Sequence, residues 1–136
     1  MARLSERIDL ATRALDQFEL LAHRDSLSDL ERDAAIQRFE YSFEAVWKAA
    51  QLFLREIEGL EVGSPKAAAR SSFQAQLLDE RQTRQALAMV DDRNLTVHTY
   101  NEPLAREIAT RLPQHASLLR TWLDAIASRA SAQPDS

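Results

Sequence analysis

With 136 residues, 45% of them apolar, the chain is long enough to bury one domain-sized core. Two glycines and four prolines are too few for the turns of an all-β protein, and the absence of cysteine excludes a disulfide framework, a thiol nucleophile and a Cys-based zinc site. A net charge of −4 argues against a broad electrostatic surface for duplex nucleic acid, although not against a local site for one phosphate.

Good helix formers dominate, and the elements are read as helices in chain order. Leu4, Ile8, Ala11, Leu15, Phe18 and Ala22 step by alternating fours and threes, the core stripe of a first helix. The segment HRDSLS breaks it, leaving His23 in a loop. Ser28 and Glu31 then form the two ends of a capping box that opens a long second helix. Its stripe is Ile36, Phe39, Phe43, Val46, Ala50, Phe53 and Ile57, widened by Trp47 and Leu54, with Gly59 as the stop. Ser64 and Pro65 start a short third helix anchored by Phe73 and Leu77. Asp79 with Gln82 makes another cap, and Thr83, Leu87 and Val90 face inward on a fourth helix. Pro103 disfavours helical geometry at Glu102, so that helix ends between about Val97 and Asn101. Leu104, Ile108, Leu112, Leu119, Trp122 and Ile126 line a last helix, with a kink expected at Pro113. The expected fold is all-α: an antiparallel bundle of four long helices plus one short one, with a kinked last helix. Residues 1–130 form a single domain and residues 131–136 a disordered polar tail.

No apolar stretch approaches the length of a membrane span, and the N-terminus has no apolar signal region. A soluble, cytoplasmic protein without membrane association is expected. His23, His98 and His115 lack the spacing of a helical metal site, so neither a metal nor another cofactor is expected.

The segment DDRNLTVHTY, at the end of the fourth helix, holds the candidate site. On an ideal helix Arg93 and Tyr100 share one face, Asn94 and His98 the adjacent one, and Arg93 and His98 diverge by about 140°. They converge only if the backbone loosens near His98, and the nearby Pro103 favours that loosening. A guanidinium grips a phosphate through two parallel hydrogen bonds, and an imidazole transfers protons near neutral pH. Together they suit cleavage of RNA by its own 2′-hydroxyl, with His98 as base or acid and Arg93 stabilising charge on the phosphorus oxygens. Two proton transfers are needed, and one histidine per chain is too few. A two-fold homodimer would bring two copies of each residue to a shared seam. The plain alternative is that His98 caps helix carbonyls, Arg93 pairs with Asp92 or with a carboxylate of a neighbouring helix, and Tyr100 is a half-buried ring.

Glu40, Glu44 and Lys48 form a column on the second helix that either lines a cleft or is a charge row between helices. Arg81 and Arg84 either extend a basic track for RNA or pair with Asp79 and Glu80. Trp47 and Trp122 lie on or beside apolar stripes and read as core.

The run Arg93-Asn94-Leu95-Thr96-Val97-His98-Thr99-Tyr100 resembles the arginine–histidine signature of the HEPN superfamily, and the added tyrosine resembles the version found in HepT-like toxins. The blocks IQRFEYSFEAVWKAAQLFL and GSPKAAARSSF look like helices of the nucleotidyltransferase substrate-binding protein family, a HEPN branch. The resemblance implies a helical bundle that dimerises and a metal-independent ribonuclease whose catalytic pair is Arg93 and His98, with Asn94 as an auxiliary polar residue. It further implies a partner, an MntA-like minimal nucleotidyltransferase antitoxin, that silences the toxin by transferring AMP to Tyr100. Two departures stand out: the tryptophan that precedes the motif in many relatives is missing, and Asp91 and Asp92 set negative charge beside Arg93. Two other readings remain open: a non-catalytic subunit that binds nucleotide or substrate for a separate nucleotidyltransferase, and a dimeric scaffold.

Overall fold

The computed structural model describes residues 2–98 and 101–133. Six helices follow one another: α1 (Ala2–Ala22), α2 (Asp29–Glu56), α3 (Pro65–Gln74), α4 (Glu80–His98), α5 (Glu102–Ala109) and α6 (Leu112–Ser131). The described residues contain no strand.

The helix starts follow from local chemistry. Ser28 accepts from the Glu31 amide at 3.1 Å while Glu31 accepts from the Ser28 amide at 2.9 Å, so two amides that lack helix partners are satisfied reciprocally. Asp79 and Gln82 do the same for α4, at 2.8 and 2.9 Å. Ser64 caps α3 from an extended backbone, accepting from the Ala67 amide, and Pro65 occupies the first turn. Past α2, Gly59 takes φ +70°, and the Leu60 amide turns back to the Leu54 carbonyl at 2.8 Å.

Helix α2 is central and packs against every other helix. Its C-terminal half shows why: Val46, Trp47, Ala49, Ala50, Leu52, Phe53 and Leu54 are buried around most of its circumference. Phe18, Phe39 and Phe43 form a tilted aromatic row between α1 and α2, with ring centroids 5.9 and 6.2 Å apart. Each such fully buried ring contributes about 2–3 kcal/mol of transfer free energy. Arg120 of α6 bridges Asp16 (2.7 Å) and Glu19 (2.6 Å) of α1, tying the last helix to the first.

Two expectations are corrected. Phe73 does not anchor α3; it is 47% exposed, and α3 packs through the small buried residues Ala68, Ala69 and Ser72. Small side chains let the helices approach closely, and Trp122 of α6 closes the gap, its indole N–H donating to Ser72 Oγ at 3.0 Å. Leu77 is buried, but in the turn beyond the helix. The last helix is divided rather than kinked. Pro113 has no N–H for the Ala109 carbonyl, and the amides of Thr110 and Arg111 instead bond three residues back, to Glu107 and Ile108. The chain turns there, and α6 restarts with Pro113 in its first turn.

Candidate functional site

Helix α4 carries charge on two sides, and each side meets a different neighbour. On the α2 side, Arg93 Nη2 donates to Glu44 Oε2 at 3.0 Å, and its guanidinium lies over the Phe43 ring at 5.1 Å. The same Glu44 oxygen accepts from Trp47 Nε1 at 3.1 Å, and the Lys48 ammonium sits 4.6 Å from the Trp47 ring centroid. One turn along α4, Thr96 Oγ1 lies 2.8 Å from the Arg93 carbonyl and 3.0 Å from Glu40 Oε2. The two acids of the column, Glu40 and Glu44, therefore face the motif helix and hold it in register, while Lys48 lies over Trp47 of its own helix. The Arg93 side chain stays 27% exposed, so its guanidinium is gripped without being sealed from solvent.

On the α6 side, Asp92 is only 7% exposed. Arg111, at the restart of the divided last helix, clamps it in bidentate fashion at 2.7 and 2.8 Å, and His115 Nε2 lies 2.7 Å from Oδ2. Burial pushes the Asp92 carboxyl up, but the hydrogen bonds from Arg111 and His115 outweigh it and hold its pKa below the usual carboxylate range. Burial dominates at His115, 4% exposed and stacked on Phe39 at 5.1 Å, and lowers its pKa despite the neighbouring carboxylate. The neutral imidazole thus donates its Nε2 proton to Asp92, while Arg111 balances the charge. Asp91 is paired as well, with Lys66 of α3 at 2.8 Å. The acidic pair that the sequence sets beside Arg93 is thus engaged by three groups elsewhere and opposes an incoming phosphate less than adjacency in sequence implies.

The predicted residues are brought together only in part. Arg93, Glu40 and Glu44 share one seam, whereas Lys48 lines a different cleft with Arg3 and Arg7 of α1. Asn94 is exposed, its Oδ1 3.4 Å from Arg93 Nη1. The helix does not loosen before His98: α4 runs through it and leaves it exposed as the final residue. Regular helical rotation keeps its direction about 140° from that of Arg93, so the two do not share a pocket within one chain. Tyr100 lies outside the described residues. Arg81 and Arg84 line a separate cleft of about 380 Å³ between α4 and α6, with Gln85, Arg111, Gln114 and His115 on its walls. Arg84 pairs there with Glu80 at 2.8 Å. His23 is exposed in the α1–α2 loop as expected. The network that His115 forms with Asp92 and Arg111 has no local signature in the sequence. Arg111 and His115 lie 19 and 23 residues from Asp92, and only the packing of the helices brings them together.

Solved structures share the architecture of this helical bundle. A chain from the toxin-antitoxin MntA-HpeT, in a mutant form, is 18% identical with a TM-score of 0.76, over 94% of this chain and 99% of that one. A chain from tri-AMPylated Shewanella oneidensis HEPN toxin in complex with MNT antitoxin is 19% identical with a TM-score of 0.75, over 92% and 96%. At this identity the likeness is one of fold. A Thermus thermophilus protein of known crystal structure is 55% identical with a TM-score of 0.82, over 85% of this chain and 98% of its own. No curated protein matched in sequence. The model of the family described as nucleotidyltransferase substrate binding protein like matches residues 6–128, and the chain belongs to that family.

Proposed function

We propose that this protein is the toxin half of a HEPN/MNT toxin–antitoxin pair, a ribonuclease whose active site is shared across a homodimer. The observation that carries the reading is the arrangement at the end of α4. A partly exposed arginine is oriented by Glu44, and an exposed histidine one turn further points elsewhere. One chain supplies an electrostatic group and a proton-transfer group that do not meet, and a two-fold mate supplies the complement. Leu95 and Val97, 41% and 55% exposed between them, give that contact apolar surface.

In the proposed reaction the RNA 2′-oxygen attacks the adjacent phosphorus and loses its proton to the imidazole of one His98. The 5′-oxygen leaves, taking a proton from the His98 of the mate, and the products are a 2′,3′-cyclic phosphate and a 5′-hydroxyl. Arg93 stabilises the charge gathering on the non-bridging oxygens. No step calls for a metal. Silencing would come from a minimal nucleotidyltransferase partner: the Tyr100 hydroxyl attacks the α-phosphorus of ATP and displaces pyrophosphate. The AMP then sits two residues from His98 and occupies Arg93. That a similarly folded HEPN toxin is tri-AMPylated and complexed with an MNT antitoxin supports this assignment.

The test is cleavage of single-stranded RNA, in chelator, by the wild type and by Arg93→Ala and His98→Ala. Loss of cyclic-phosphate products in both variants is expected; unchanged cleavage overturns the catalytic assignment. Intact mass after incubation with the partner nucleotidyltransferase and ATP should rise in the wild type and not in Tyr100→Phe. A second reading, a non-catalytic subunit that holds nucleotide for the partner, is favoured by one contact: Glu44 already neutralises Arg93, so an incoming phosphate must compete with it. Tight nucleotide binding without RNA cleavage would select it.

A further inference from the structure

A second cationic feature lies further along the same face of α2. Arg3 and Arg7 of α1 and Lys48 and Arg55 of α2 line a cleft of about 130 Å³, closed by Gln51, Leu52, Glu61 and Val62. Four cations face one carboxylate there, in a protein whose net charge is −4. Elsewhere most cations are consumed by ion pairs: Arg24, Arg32, Lys66, Arg84, Arg93, Arg106, Arg111, Arg120 and Arg129 each meet an acid. Among the described residues Arg3, Arg7 and Lys48 make no ion pair, and Arg55 reaches only its sequence neighbour Glu56, at 3.9 Å. Gln51 is spent on the Val62 carbonyl at 2.7 Å, which fixes the cleft wall.

A chain of side-chain contacts joins the cleft to the motif. Arg93 grips Glu44, Glu44 accepts from Trp47, and Lys48 sits on the Trp47 ring. From Glu44 to Arg55 the helix advances about 16 Å, a length that a few nucleotides span. The volume suits a phosphate group and not a nucleoside. With Trp47 buried, the lining offers no aromatic face on which a base could stack.

We propose that this α1–α2 cleft binds backbone phosphates of single-stranded RNA, without base readout, and leads the strand along α2 to Arg93. The direction of the strand rests on the ribonuclease reading; the binding itself does not.

The test therefore measures binding alone. A short 2′-O-methyl oligouridine cannot be cleaved by 2′-oxygen attack, so its affinity for the intact protein is read across a salt series. Replacing Arg7, Lys48 and Arg55 together by alanine should reduce the slope of log affinity against log salt by about 2 and weaken binding about 100-fold at about 0.1 M salt. The single variant Arg7→Ala should lower the slope by about 0.7, while Arg13→Ala, an exposed α1 position outside the cleft, leaves it unchanged. Arg7→Lys, which keeps the charge, restores the wild-type slope. Changing the base composition should not alter these losses. An unchanged slope in the triple variant, equal losses for Arg7→Ala and Arg13→Ala, no binding by the wild type, or cleft variants that weaken only the antitoxin complex would each overturn the proposal. Failure of Arg93→Ala and His98→Ala to affect cleavage would strike the ribonuclease reading and leave the slopes untouched.

Discussion

The interaction that locks the motif helix onto the last helix is also the most exposed to a single substitution. Asp92→Asn keeps the volume of the side chain but removes its charge and one of its two acceptor oxygens. Arg111 then loses a bidentate, charge-assisted pair, and the buried His115 Nε2–H competes for the one remaining acceptor. Breaking a buried pair costs about 3–5 kcal/mol. The Arg111 side chain is 35% exposed and turns partly to water, so the lower end applies, about 3 kcal/mol. Unfolding entropy for 136 residues is about 0.29 kcal/mol per degree, which converts that loss into a fall of about 10 °C in Tm. Thermal unfolding followed by circular dichroism, at one protein concentration because any association makes Tm concentration-dependent, is the assay. A fall of less than about 2 °C would show that the buried network contributes little to stability. A cycle with Arg111→Ala should give a coupling of at least about 1.5 kcal/mol; additivity would show that the two side chains act apart.

The pH dependence of stability carries a second prediction. Burial lowers the folded pKa of His115, so between that value and the unfolded one of about 6.5 the unfolded chain binds more protons and stability rises with pH. Wild-type Tm should therefore drop as pH falls below about 6.5, and His115→Gln should flatten that limb; parallel profiles would contradict the assignment. The lowered pKa of Asp92 adds stability that is present above the usual carboxylate range and lost only as pH falls through the folded value. For the proposed cleavage, Glu44 is a positioning residue. Glu44→Ala should reduce kcat about 10- to 100-fold by releasing Arg93, with His98 intact and the pH profile unchanged, and a fall in KM alone would argue that Glu44 merely repels substrate.

Much of this molecule was legible before any fold was known, and the reasons are local. Ser28 with Glu31 and Asp79 with Gln82 are caps whose partners lie three residues away, so the sequence contains both halves of each interaction. The α1 and α2 stripes are helical periodicity alone, and Leu4, Ala11, Leu15, Phe18, Ile36, Phe39, Phe43 and Phe53 are all buried. The interruption at Pro113 was visible, but whether it bends or divides a helix depends on what the freed turn can reach. Here Arg111 reaches Asp92. Phe73 shows the opposite failure: hydrophobicity marks a side chain that prefers burial, but the face of α3 that packs is the one carrying Ala68, Ala69 and Ser72, and Phe73 lies off it.

At the candidate site the division is the same. Residue types and spacing alone determined that a guanidinium and an imidazole lie at the end of one helix, because both belong to a single continuous segment. Tertiary structure decided what surrounds them: Glu44 on Arg93 from 49 residues away, and Arg111 and His115 on Asp92 from 19 and 23 residues away. A charge's partner is set by which helix faces pack together, and that depends on the shape of the whole core rather than on any one segment.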